Sequence, residues 1–212
     1  LYAGPLSADQ YFEMLAAFEE MNGEDSNLQM IFRVYPHKNF MHTPYAQPLI
    51  KYARSLPGVH VSLGDPDYRV GKRDETVPRI EQFELWHSLA YCNVVINYFS
   101  TVALEACFFD KPVLSLAYRP MQDYGWIHPP KYANHPGLTH NRRLRDYGAV
   151  RMVMSREELK AAITDSIQNP DTASAVRFKT VQLELGNLDG HVVDRLADVC
   201  VRNHESFSQG EQ

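Results

Sequence analysis

CNVVINYFSTVALEACFFDKPVLSLAY, residues 92–118, reads as strand, short polar loop, helix, turn and strand. NVVIN over 93–97 is a short apolar run, and KPVLSLAY over 111–118 is another. Between them, Tyr98–Thr101 form a polar loop and Thr101–Phe109 a helix. Two strands joined through one helix lie parallel, with a right-handed crossover. The helix is apolar nearly all round (Val102, Ala103, Leu104, Ala106, Cys107, Phe108), which predicts burial.

The same alternation extends in both directions. Upstream, Leu1–Ala3 reads as a short strand, and Ser7 with Gln10 forms a capping box for a helix bearing Tyr11, Met14, Leu15 and Phe18. LQMIFRVY, 28–35, is a strongly apolar strand; a helix over 44–54, a strand over 57–63, a polar loop over 64–79 and a helix over 81–91 follow. Downstream, 119–148 has many Pro, Gly, His and Arg residues and no period, and a loop that long is expected to bind something. A strand over 149–153, a helix capped by Ser155 with Glu158, and helical stretches over 171–185 and 190–204 complete the chain. The expected fold class is α/β: a Rossmann-like three-layer domain with a mostly parallel sheet over 1–205, and a disordered tail over 206–212. Ligands in such sheets bind beyond the carboxyl ends of the strands.

Composition narrows the function. The chain has 212 residues, is 44% hydrophobic and carries a net charge of −5, with 26 acidic against 21 basic side chains. That length suits one sizeable core, and that charge draws the chain to neither nucleic acid nor an anionic membrane. The three scattered cysteines, Cys92, Cys107 and Cys200, form no ligand spacing and are expected free and buried, in a cytoplasmic setting. The chain opens directly on a strand, so the expectation is a domain cut from a longer protein. GxGxxG after a strand, a Walker A lysine motif and GxSxG are all missing.

The candidate site gathers at the loop before the 101–109 helix. Ser100 and Thr101 put hydroxyls beside the free N–H groups of a helix start, where a phosphate or diphosphate fits. Glu105, four or five residues on, suits vicinal hydroxyls such as those of a ribose. Capping alone also explains the two hydroxyls. Arg33, His37 and Lys38 lie at another strand end, placed to neutralise phosphate. His140, Arg142 and Arg143 are candidates for acceptor or phosphate contacts. Asp65 and Asp67 read as a solvated turn, and Arg69, Lys72 and Arg73 as a solvated cluster beside it. Tyr118, Tyr124 and Trp126 suit either stacking on a ligand or packing. His128, His135 and His140, spaced by seven and five residues, match no helix-borne zinc motif, and no metal is expected. Asp189 reads as an N-cap and Arg195 as an anchor for the last helix.

The pattern from Ile96 through Ser100, Thr101, Glu105 and Ala106 to Lys111-Pro112-Val113-Leu114 resembles the carboxyl-terminal nucleotide-binding domain of GT-B glycosyltransferases and their relatives. These include UDP-N-acetylglucosamine 2-epimerase, CDP-glycerol glycerophosphotransferases and bacterial surface-polysaccharide transferases. LQMIFRVYPHKNF over 28–40, GVHVSLGDP over 58–66 and LDGHVVDRLADVC over 188–200 resemble further segments of that family, in the same order. The resemblance implies the second half of a GT-B architecture, with Ser100 and Thr101 on the diphosphate and Glu105 on the ribose. The implied function is to bind the donor, a nucleotide sugar or nucleotide polyol with UDP or CDP, for surface-polysaccharide or glycoconjugate synthesis. No other cofactor is implied. The catalytic base would come from an amino-terminal Rossmann-like domain missing here, and the parent would be peripheral to a membrane. A 2-epimerase-like enzyme and a non-catalytic nucleotide-binding or interaction module are the alternatives.

Overall fold

The computed structural model describes residues 8–24, 27–34, 43–64, 79–98, 100–117 and 139–209. The elements run α1 (Ala8–Glu24), β1 (Met30–Arg33), α2 (Ala46–Ser55), β2 (Val59–Ser62), α3 (Arg79–Tyr91), β3 (Val95–Asn97), α4 (Val102–Phe108), β4 (Val113–Leu116), α5 (Thr139–Asp146), β5 (Arg151–Val153), α6 (Arg156–Gln168), α7 (Ser174–Leu185) and α8 (Val192–Gln209). The chain is mixed α/β with two short sheets. β1 pairs with β2, and β4 lies between β3 and β5; every pairing is parallel. Among the described residues, β1 and β3 each pair along one edge only. The strand expected at Leu1–Ala3 and the Ser7 cap lie outside the described residues.

Strand periodicity sends alternate side chains to opposite faces, and the core follows it. Ile96 and Leu114 join Phe32, Leu116 and Val153 in one apolar cluster with α1, α2 and α6. Val95 and Val113 join the other, with Leu89 of α3, Leu144 of α5, Val181 of α7 and the buried face of α4. The helical spacing read in α1 is realised, for Tyr11, Met14, Leu15 and Phe18 are all buried. Each large apolar side chain so buried stabilises by roughly 1.5–3 kcal/mol. Arg156, at the start of α6, grips α1 through Glu13 at 2.6 and 2.8 Å and Glu20 at 2.7 Å.

Helix ends follow their chemistry. Ser155 Oγ accepts the Glu158 N–H at 3.1 Å, as the capping box predicts, while the Glu158 carboxylate accepts from Met154 N–H, one residue before the cap. α4 ends in paired bonds, Asp110 N–H to the Cys107 carbonyl and Lys111 N–H to the Ala106 carbonyl. That is a Schellman closure, with Asp110 at the position glycine usually takes.

Three expectations are corrected. Thr139–Asp146 is a helix inside the stretch read as irregular, held by one buried apolar residue, Leu144. α8 continues through Gln209, into the segment read as tail. Cys200 is exposed, although all three cysteines are free.

Candidate functional site

Because the described strands run parallel within each sheet, their carboxyl ends lie along one edge of that sheet. Asn97 closes β3 there, fully buried, and its Oδ1 accepts a 2.7 Å bond from Ser115 Oγ on β4. Its Nδ2 is buried with no hydrogen-bond partner. Neither residue was a candidate from sequence; the signal was a polar residue ending the apolar run NVVIN.

The chain then passes through Ser100 and Thr101 into α4. The Ser100 carbonyl accepts from Ala103 N–H at 3.0 Å, and Ser100 Oγ meets Val102 N–H at 3.4 Å, a long bond. Thr101 has α-region backbone, is exposed, and makes no capping bond through its side chain. Ser100 is therefore the partial cap, and the Thr101 hydroxyl is left to solvent. Glu105 is half-buried, on the edge of an otherwise apolar helix. Burial pushes its carboxyl above the ordinary carboxylate range. A half-buried carboxylate with no charge partner among the described residues is poised to accept hydroxyl donors.

Arg33 lies at the end of β1, but its guanidinium turns inward. It donates to Glu81 Oε2 at 2.5 Å, the Glu81 carbonyl at 3.1 Å, Glu84 Oε2 at 3.1 Å and Ser62 Oγ at 2.9 Å. The charge read as available to a phosphate is met within the protein, where Arg33 pins the start of α3 to the ends of β1 and β2. Glu81 closes this cluster and was not singled out from sequence, where it is one carboxylate in the first turn of a helix. Gly64, at φ +72°, lets the chain pass the Glu81 carboxylate; a Cβ there would come within 2.6 Å of Oε1.

His37, Lys38, Asp65, Asp67, Arg69, Lys72, Arg73, Tyr118, Tyr124, Trp126, His128 and His135 lie outside the described residues. His140 belongs to α5, its side chain outside what is described. Arg142 is exposed, whereas Arg143 is tied to Glu184 of α7 at 2.6 Å. Asp189 accepts from His191 N–H and from Arg195 Nη1, so Arg195 anchors the turn before α8.

Among the described residues, no group of His, Cys, Asp or Glu is arranged to hold a metal ion, and no helix is long and apolar enough to cross a membrane. Comparison with protein-family models, with curated proteins and with solved structures gives no match.

Proposed function

We propose that the chain is the donor-binding domain of a GT-B-type glycosyltransferase, with a Rossmann-like layout and a nucleoside diphosphate at the carboxyl end of β3. The observation that carries this reading is Glu105, a half-buried carboxylate with no charge partner among the described residues, one turn into the helix that Ser100 and Thr101 open. In this reading Glu105 accepts the vicinal hydroxyls of a ribose, and Ser100 and Thr101 meet the diphosphate. The catalytic role is positioning of the donor and stabilisation of the leaving diphosphate. Arg142 of α5, which is exposed, is proposed as an assisting cation. The exposed Val192, Val193, Leu196 and Val199 of α8 support docking of a further domain, which would bring the catalytic base. UDP or CDP is the proposed nucleotide, and the cytoplasm the proposed compartment.

Calorimetric titration with UDP, CDP, GDP, ADP and UMP tests this. One diphosphate should bind selectively, and Glu105→Ala and the Ser100→Ala/Thr101→Ala pair should each weaken it about ten-fold or more, the loss expected for a charge-assisted bond. Unchanged affinity in Glu105→Ala would sink the assignment.

A further inference from the structure

The opposite edge of the three-stranded sheet carries a second cleft, of about 110 Å3. Its walls are the first residues of β4 and β5, the turn between α6 and α7, and the side chains of Ser166 and Arg177. Both residues are more than nine-tenths buried, at 8% and 2% exposure. Arg177 donates from Nε to Asp110 at 2.7 Å and from Nη2 to the Pro170 carbonyl at 2.7 Å. Nη1 takes part in neither bond. A guanidinium offers its donors in a fixed fork, so a buried arginine that lines a cleft with one arm unused calls for an acceptor there. The cleft also has a carboxylate, Asp165, but Arg151 Nη1 at 2.8 Å and Asn169 Nδ2 at 3.1 Å already meet it.

We propose that this cleft binds a small oxyanion of the phosphate class, held by Arg177 Nη1 and Ser166 Oγ. Size limits the ligand. Pockets for drug-sized ligands and cofactors run to about 300–1,000 Å3, so 110 Å3 suits one tetrahedral oxyanion and not a nucleotide. The site stands apart from the proposed donor site, at the other end of the same strands. Arg177 links it to Asp110, at the close of α4.

The test is a titration of the 15N-labelled chain with inorganic phosphate at constant ionic strength, followed by amide shifts. The expected result is saturable shifts at residues 113–114, 148–151, 165–169 and 171–173. They should persist in Ser100→Ala/Thr101→Ala, and weaken about ten-fold in Ser166→Val and in Arg177→Lys, as loss of a charge-assisted contact implies. Absent shifts, meaning that water alone fills the cleft, would overturn the proposal. So would shifts confined to residues 97–105. The map on the unaltered chain decides even where a variant does not fold.

Discussion

The Asp110 carboxylate accepts a 2.7 Å hydrogen bond from Arg177 Nε on a backbone held at φ 53°. An L-residue in that conformation costs roughly 1–2 kcal/mol. Asp110 offsets this with two bonds, the second from Ser174 Oγ at 2.7 Å. Asp110→Ala keeps the backbone cost and strips a buried arginine of its counter-charge. Losing one partner of a buried pair costs about 3–5 kcal/mol. Asp110 is itself half exposed, so a loss of about 2–3 kcal/mol in urea denaturation is expected. Asp110→Gly should be milder by about 1 kcal/mol. If glycine proves the worse substitution, the backbone term is refuted.

Glu105 makes stability depend on pH. Its carboxyl is raised from 4.5 by burial, so between that value and the higher folded one the native chain holds the proton more tightly than the unfolded chain. Stability therefore falls as pH rises through that window. Glu105→Gln should melt above the parent at pH 7, and the gap should close near pH 4. A constant gap across that range would mean that the carboxyl is not desolvated.

The approach of Gly64 to Glu81 leaves no room for a side chain. Gly64→Ala meets both a positive φ and the carboxylate that anchors Arg33. A loss of about 2–4 kcal/mol is expected by chemical denaturation. Glu81→Ala should cost about 3–5 kcal/mol, because among the described residues Arg33 would keep the exposed Glu84 alone as counter-charge. Near-neutral behaviour of both variants would show that the start of α3 is held by other contacts.

The thiols should separate by rate. Cys200 is exposed, Cys92 half-buried, and burial pushes Cys107 up to about 11. At pH 8 an aromatic disulfide reagent should modify one thiol quickly in the native chain and three after denaturation, since the thiolate is the nucleophile. Fast modification of Cys107 would contradict its burial.

The sequence was most readable where composition and period agree. The run from β3 to β4 lies within two residues of its reading at every boundary, because two apolar strands flank an apolar helix between polar turns. α5 was illegible because THNRRLRD has a single apolar residue and no repeat to count. Around the site, Ser100 and Glu105 were visible as local pattern. The pairing that engages Arg33 was not, since Glu81 lies 48 residues along the chain and meets it only after α3 docks. For the same reason Asn97 gained its meaning from Ser115, which only strand register brings opposite.

Arg156 reaches back 143 residues to Glu13. Synthesis delivers α1 long before α6, so on the ribosome the first helix waits without Arg156 on its inner carboxylate and with its apolar face lacking one of its covers. Contacts that distant in sequence slow folding and lengthen the exposure of nascent apolar surface. The clasp between α1 and α6 therefore makes completion of the amino-terminal half wait for residue 156 to clear the exit tunnel.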